Sequence, residues 1–222
     1  MIIILSIETS TDVCSVALHR DGELFACYNI VKEKSHASTI TLLIQHLLTE
    51  TGIDKKQLSA VAVSKGPGSY TGLRIGVSTA KGLCFALGIP LIGVSTLTAM
   101  AQQIAVFNYN HYMLCPMIDA RRMEVYCSIY KPDLTVAYPT TAEVLNDDSF
   151  RDIVSENKVI FFGNGSEKFK TIPTFHQQKI FIDAIYPSAQ SVGIVAFKKY
   201  LQSEFEDVAY FEPYYLKEFM SK

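Results

Sequence analysis

The sequence predicts an α/β fold of two related lobes, each built on a mixed sheet with covering helices. One pattern occurs twice: an apolar strand ends at an acidic residue, a polar turn follows, and a second strand returns beside the first. The copies are IILSIETSTDVCSVAL, which contains Glu8, and YMLCPMIDARRMEVYCSIY, which contains Asp119, 111 residues further on. A third strand follows a tight turn in each copy. Because strands and helices then alternate along the chain, we expect two similar cores.

The first lobe continues from its three strands into a regular alternation of helices and strands. Apolar residues recur at helical spacing from residue 38 onward, and Gly52 is placed to end that helix. A later helix should end at Gly88 and Pro90. The predicted elements are a helix, a buried strand, the loop KGPGSYTG, a helix, a strand and a helix, at residues 38–51, 58–64, 65–72, 73–87, 90–94 and 96–106.

A polar run at residues 108–111 predicts the boundary between the lobes. Residues 1–107 would then form the N-terminal lobe, which carries the partner-binding helices, and residues 108–222 the C-terminal lobe. We expect the last segment of the chain to pack back on the first lobe. After its hairpin, the second lobe is predicted to contain a helix, a strand and a long helix, at residues 142–145, 159–162 and 189–205.

Composition excludes several classes of protein. The chain has 222 residues, of which 49% are hydrophobic and 19% charged, as in a well-buried globular protein. Its net charge of -2 gives no overall basic field for nucleic acid, so another subunit should supply most contacts to any RNA. The five cysteines form no CxxC pair and fit buried thiols in a reducing compartment. No apolar run approaches the length of a membrane span, so we expect a cytoplasmic protein.

The two acidic residues need an explanation, because a carboxylate at the end of a buried strand is costly unless something uses it. Two facing lobes would place Glu8 and Asp119 across one cleft. That arrangement resembles the duplicated actin-like ATPase (RNase H-like) fold of actin, the sugar kinases and Hsp70, in which paired acidic loops hold a metal-nucleotide. The resemblance assigns two phosphate loops, the first with Glu8, Thr9 and Ser10 and the second with Asp119, Arg121 and Arg122. They either retain some nucleotide binding or, as we favour, are a relic whose acids satisfy loop amides and pair with nearby arginines.

The glycine loop KGPGSYTG stands where a phosphate cradle would lie, between a strand and a helix. Its candidate residues are Gly66, Gly68 and Ser69. The loop is not a Rossmann loop, because Thr71 occupies the position of the third glycine, and it lacks the Gly-Lys-Ser/Thr ending of a P-loop. Two interpretations remain: a tight turn that lets the helix approach the sheet closely, or an anion-binding loop.

Several motifs together closely resemble the TsaB (YeaZ) family: VSKGPGSYTGLRIGVSTAKGL, both hairpin segments, and FEPYYLKEF near the end. The similarity is dense over residues 1–130 and thin over 135–205. It implies a non-catalytic scaffold or dimerisation subunit of the complex that adds threonylcarbamoyl to the adenosine beside the anticodon of tRNA. The implied partners are a TsaD-type catalytic paralogue and a small TsaE-type P-loop ATPase bound to the pair. The chain could also form a homodimer in isolation, and tRNA would be met mainly through the complex.

The same motifs also resemble the TsaD family, once labelled glycoprotease, which carries a metal-binding His-x-Glu-x-His run. Here the matching positions are Thr96, Thr98 and Met100, and a hydroxyl and a thioether are poor ligands for a transition metal. The sequence therefore predicts no metal, no cofactor and no catalytic residue. None of the five histidines, His19, His36, His46, His111 and His176, forms a metal motif. The alternative is a small kinase-like or peptidase-like enzyme that uses Glu8 and Asp119 with magnesium.

The helix predicted at residues 73–87 is apolar on both faces, which indicates that both faces are covered. One stripe, Leu73, Val77, Ala80, Cys84 and Leu87, should face the sheet. The other face could be covered by the preceding helix or by another protein. We take the second option as our interface hypothesis, with these residues: Leu42, His46, Ile75, Ser78, Gly82 and Phe85.

Overall fold

In the computed structural model, which describes residues 1–31, 36–173 and 179–217, two five-stranded mixed sheets are present. The first half contains β1 (Ile3–Glu8), β2 (Val13–Arg20), β3 (Glu23–Val31), α1 (His36–Thr51), β4 (Ala60–Gly66), α2 (Tyr70–Leu87), β5 (Leu91–Ser95) and α3 (Thr96–Ala105). The second half contains β6 (Met113–Asp119), β7 (Glu124–Tyr130), β8 (Val136–Val144), α4 (Arg151–Glu156), β9 (Val159–Phe162), α5 (Ser166–Lys170), β10 (Lys179–Ile182) and α6 (Ala189–Leu201).

Strand order demonstrates the duplication. The first sheet runs β3-β2-β1-β4-β5 and the second runs β8-β7-β6-β9-β10, so equivalent strands occupy equivalent places. In both sheets the central strand pairs antiparallel with the strand that follows it and parallel with the fourth. The helices also follow the same strands in each half. The predicted fold class, a duplicated α/β fold of two mixed sheets, is therefore confirmed.

Contacts divide the chain differently from the predicted cut after residue 107. One compact unit is Met1–Ala99 together with the chain from Pro187, and the other is Met100–Tyr186. The reason is that α6 packs on the first sheet, where Val192 and Ala196 lie against Ile4 and the small residues of β4. The last helix thus belongs to the first unit, although the sequence assigned it to the second lobe.

The first unit has a sheet that is buried on both faces. Helices α1 and α2 cover one face, where Ile40, Leu47, Val77 and Cys84 join the core. The other face holds α6 and the start of α3. Burial raises the pKa of the Cys14 and Cys84 thiols to about 11, and four of the five cysteines are buried, with Cys27 half-buried.

The second unit has a smaller core with an aromatic centre. Phe161 and Phe169 lie 5.0 Å apart between ring centroids, and Phe150 and Phe181 contact both. Such edge-to-face and tilted packing is favourable for aromatic pairs. The short helices α4 and α5 and strand β10 belong to this half and were not predicted from the sequence.

Two helix predictions were wrong in the second half of the chain. Residues 142–145 do not form a helix, because β8 continues to Val144 and Ala142 lies opposite Tyr126 of β7. Cross-strand pairing there outweighs the local helix preference. Helix α6 ends at Leu201 rather than at residue 205, and Ser203 then adopts a left-handed φ of 56°.

Residue 176 and the last two residues of the FEPYYLKEF motif lie outside the described residues. Among those described, no helix combines the length and the apolar character needed to cross a membrane.

Gly193 of α6 lies directly against the buried ring of His19 on β2. A Cβ at this position would overlap the ring. By contrast, Gly82 in α2 is exposed, and apart from the backbone of its own helix no atom lies within 4 Å of where a Cβ would be. These two helical glycines therefore offer a matched pair for testing the packing.

We expect Gly193→Ala to lower the free energy of unfolding by about 1–3 kcal/mol, since the added methyl must displace a packed ring. Gly82→Ala should instead raise it by about 0.5–1 kcal/mol, because glycine weakens an exposed helix interior. Urea unfolding of both variants and the parent measures the two effects. Shifts in the same direction would contradict this account of α6 packing.

Candidate functional site

The turn after β1 is held by its own polar groups. Glu8 is fully buried, and its Oε1 accepts a hydrogen bond of 2.6 Å from the backbone N–H of Ser10. Thr9 Oγ1 donates to the carbonyl of Gly72, at 2.8 Å. The Ser10 carbonyl in turn accepts from the N–H of Ser69, at 2.7 Å. The β1 turn and the glycine loop therefore form one interlocked structure.

The glycines of the loop permit this close contact. A Cβ at Gly68 would overlap the Ser10 carbonyl, and a Cβ at Gly72 or Gly76 would overlap Thr9. Gly66 has a φ of 115° and faces the carbonyl of Tyr214. The Ser69 amide at the start of α2 is already bonded to Ser10, and the Ser69 hydroxyl caps the helix by accepting from the Gly72 N–H. These contacts support the close-packing interpretation of the loop.

Glu8 is held in an unfavourable environment for a charge. Burial raises the pKa of its carboxyl above the ordinary value of 4.5. Hydrogen bonding from Ser10, the nearby Ser64 hydroxyl and the charge of His36 act in the opposite direction without cancelling the effect of burial. The hydroxyls of Ser10 and Ser64 both lie close enough to the Glu8 carboxyl to lower its pKa. Even so, Glu8 Oε2 has no partner in hydrogen-bonding geometry within the described chain.

The turn after β6 repeats the first one in its backbone but not in its surroundings. Asp119 Oδ1 accepts from the N–H of Arg121 at 2.6 Å, as Glu8 does from Ser10. However, the Asp119 side chain is 40% exposed and forms an ion pair of 2.7 Å with Lys168 of α5. The Asp119 N–H donates to Asn164 Oδ1, at 3.0 Å.

The relic hypothesis is thus met in one part and not in the other. Both acids satisfy loop amides, but within the described residues no salt bridge joins Asp119 to Arg121 or Arg122. Both arginines are exposed. Lys168 was not predicted from the sequence, because a lysine in a five-residue helix carries no motif. Glu8 and Asp119 lie in different compact units.

The positions that match the TsaD metal ligands are part of the packing. Thr96 and Met100 are fully buried, and Thr98 is half-buried. The described residues contain no group of three or more His, Cys, Asp or Glu side chains that could hold a metal ion. His36 lies near the β1 turn, and its Nε2 is 2.6 Å from the carbonyl of Thr11.

The outer face of α2 is open to solvent. Phe85 is 85% exposed, and Ser78 and Gly82 are also exposed. On the neighbouring α1, Leu42 is 53% exposed and His46 is exposed. We call these five residues the α1–α2 face. Helix α1 packs beside α2 but does not cover this face.

Ile75 differs from the other residues of the interface hypothesis. It is half-buried and packs against the core shared by β1, β4 and α1. Its position on α2, between the inner stripe and the outer face, explains the difference. A charge at Ile75 would therefore disturb the core as well as any interface.

The segment 204–217, which we call the C-terminal strap, runs across the start of α2. The Tyr214 N–H donates to the Lys65 carbonyl at 2.7 Å, and the Tyr215 ring packs on Tyr70 with centroids 4.6 Å apart. Arg74 Nε donates to the Tyr215 hydroxyl at 3.3 Å. Lys81 Nζ donates to the carbonyls of Ala209 and Phe211, at 3.1 and 2.9 Å. The strap therefore fixes one side of α2 and leaves the α1–α2 face uncovered.

Comparison with known proteins identifies related sequences. The family model of TsaD, tRNA N6-adenosine threonylcarbamoyltransferase, matches residues 30–220. The tRNA threonylcarbamoyladenosine biosynthesis protein TsaB of Escherichia coli (strain K12) is 42% identical over 130 residues, which are 59% of this chain and 55% of that protein. TsaB of Buchnera aphidicola subsp. Schizaphis graminum is 33% identical over 196 residues, 86% of this chain and 90% of that one. The chain thus spans about half of the E. coli protein and nearly all of the Buchnera protein in these alignments.

Solved structures give the same picture. YeaZ from Pseudomonas aeruginosa superimposes with a TM-score of 0.81 at 26% identity, covering 97% of this chain and 100% of that one. The activator of 2-hydroxyisocaproyl-CoA dehydratase from Clostridium difficile, solved with bound ADPNP, superimposes with a TM-score of 0.54 at 9% identity, covering 93% and 99%. This second likeness shows the shared fold alone.

The pH dependence of stability tests the state of Glu8. Its pKa is raised in the folded protein, so the folded state binds its proton more tightly than the unfolded chain does. Stability should therefore fall as pH rises from about 4.5 through the raised value. Glu8→Gln keeps the oxygen that accepts from Ser10 and removes the titration. We expect the variant to gain stability relative to the parent as pH rises through this range.

Unfolding by urea at a series of pH values measures this difference. Glu50→Gln, at an exposed site near the end of α1, is the control and should follow the parent profile. If Glu8→Gln and the parent show parallel profiles from pH 4 to 8, the burial-driven shift of Glu8 is refuted.

Proposed function

This chain belongs to the TsaB family of tRNA threonylcarbamoyladenosine biosynthesis proteins, and we propose that it acts as a non-catalytic scaffold subunit of threonylcarbamoyl transfer to tRNA. Its partner would be a TsaD-type catalytic paralogue, and a small TsaE-type P-loop ATPase would bind the pair. We place this assembly in the cytoplasm, with tRNA bound mainly through the complex. In isolation, the chain could form a homodimer through the surface that would otherwise bind the catalytic partner.

The absence of catalysis in this chain is supported by two features. Threonine and methionine stand at the positions of the TsaD metal-binding histidines, and both side chains are packed in the interior. The Glu8 turn is enclosed by the glycine loop, whose Ser69 amide is bonded to the chain itself. The rival enzyme hypothesis would need Glu8 to reach a metal-nucleotide from this fully buried position. None of these contacts favours that alternative.

The observation that carries the proposal is the α1–α2 face. An exposed phenylalanine one turn from an exposed glycine is costly for an isolated chain, because the ring loses apolar burial and glycine weakens the helix. Both features become useful when a second helix packs there. The open space above Gly82 allows close approach of a helix, and Phe85 supplies a large apolar anchor.

The exposed residues are spread over two neighbouring helices. Leu42 and His46 extend it onto α1, which packs beside α2 on the same face of the sheet. Ser78 and Ala86 are small, exposed neighbours of Gly82 on α2. A TsaD-type paralogue has related motifs, so its equivalent helices could pack against this pair as a four-helix arrangement.

Substitutions on this face should separate assembly from folding. Gly82→Arg places a charge in open space in the isolated chain but inside the proposed interface, and Phe85→Ser removes the anchor. We expect both variants to fold normally and to bind the catalytic subunit at least about thirtyfold more weakly, which corresponds to roughly 2 kcal/mol or more. Sedimentation and titration calorimetry with the catalytic subunit measure the affinity, and circular dichroism checks the fold.

Leu201→Arg is the control, because Leu201 is 63% exposed at the end of a helix in the same compact unit but lies outside the α1–α2 face. It should assemble like the parent. Normal assembly of both Gly82→Arg and Phe85→Ser would refute the proposed surface. Equal weakening by Leu201→Arg would show a general effect of added charge instead.

A further inference from the structure

A second exposed feature lies in the other compact unit, at the tip of the β6–β7 hairpin. Residues Ala120 to Met123 connect the two strands, and the Ala120 N–H donates to the Glu124 carbonyl at 3.0 Å. The Glu124 N–H donates back to the Arg121 carbonyl at 3.2 Å. The tip therefore has a defined backbone and presents Arg121 and Arg122 to solvent.

Side-chain contacts brace this tip from below. Lys168 Nζ binds Asp119 Oδ1 at 2.7 Å and the Glu124 carbonyl at 3.2 Å, so it joins both ends of the turn. Asn164 accepts from the Asp119 N–H. Asp119 also accepts from the Arg121 N–H. The Asp119 carboxylate is thus engaged by a lysine and a backbone amide.

The two arginines occupy an unusual backbone conformation. Arg121 has a φ of 69° and Arg122 a φ of 46°, in the left-handed region that residues with side chains rarely adopt. Such a conformation persists only when the surroundings enforce it, as the Lys168 brace does here. In the described chain, no salt bridge joins either guanidinium to a carboxylate. Two cations without an ion pair among the described residues are therefore held on a braced turn.

We propose that Arg121 and Arg122 bind phosphodiester groups of the tRNA substrate, an inference that rests on the proposed function. Guanidinium groups match phosphate oxygens in geometry and remain charged at all physiological pH values. A braced turn loses little conformational freedom on binding. The chain as a whole is slightly acidic, so this patch would act locally. The residues of the proposed protein-binding face belong to the other compact unit.

The test uses the complete complex of this chain with its catalytic subunit, titrated with tRNA over a series of salt concentrations. We expect the double variant Arg121→Asn/Arg122→Asn to bind tRNA roughly tenfold more weakly at low salt. The slope of log affinity against log salt should fall in magnitude by about 1 to 2, one phosphate contact for each lost charge. Asparagine tolerates the left-handed conformation, so the fold should be retained.

Two further variants complete the design. The double change Arg121→Lys/Arg122→Lys keeps the charges and should preserve most of the salt slope. Arg151→Ala removes a cation from the same compact unit, but Arg151 already pairs with Asp148 at 2.5 Å. This control should leave tRNA affinity nearly unchanged. Equal loss in Arg151→Ala and in the hairpin variant would overturn the proposal by showing a non-specific charge effect.

Assembly with the catalytic subunit is measured on the same samples. Normal assembly with unchanged tRNA affinity and salt slope would overturn the inference and leave the proposed function intact. Weakened assembly in the hairpin variant would overturn the inference and indicate that the two arginines bind an acidic surface of the partner protein. ATP binding that the hairpin variant alone abolishes would overturn it in favour of a nucleotide site. If the parent chain fails to bind the catalytic subunit, the proposed function fails and this inference fails with it.

Discussion

The first compact unit depends on how closely α2 approaches the turn after β1. Positions 68, 72 and 76 have no room for a Cβ, because Thr9 and Ser10 occupy that space. The close approach fixes the Thr9 and Ser69 hydrogen bonds and encloses Glu8. It also fixes the orientation of α2, since a helix held this tightly along one side must turn the opposite side outward. The exposure of the outer side of α2 is therefore a consequence of this close approach.

The turns after β1 and β6 have the same backbone hydrogen bond, but their acidic side chains lie in different electrostatic environments. In each, the acid at the end of the central strand accepts from the amide two residues later. Glu8 is then closed off by a long helix and becomes difficult to ionise, whereas Asp119 stays half-exposed and takes Lys168 as its partner. The difference follows from what comes after the fourth strand of each half: the first half places α2 there, and the second has only the five residues of α5. In this duplicated fold, the turn after β1 is thus enclosed and the turn after β6 is exposed.

Local patterns were sufficient to predict the strands that end at Glu8 and Asp119, the inner stripe of α2 and its end at Gly88. Each of these features depends on residues close together in the sequence. The membership of α6 was not predictable, because the fit of its small residues to β4 is a long-range property. The end of β8 was mistaken for a helix because pairing with β7 decides its conformation. Lys168 was missed since its partner Asp119 lies 49 residues earlier.

Ile75 and Gly82 show that helical periodicity alone does not predict which residues at the edge of a helix face are buried. Both lie off the inner stripe, and a two-sided pattern assigns both to the outer face. In the folded unit Ile75 reaches the core, while Gly82, apart from the backbone of its own helix, meets no atom within 4 Å of an ideal Cβ. Burial therefore changes gradually around a helix, and the neighbouring elements determine how far it extends. Gly82 and Phe85 combine exposure with a cost to the isolated chain. They are more informative about a partner than apolar character alone, since core packing accounts for neither.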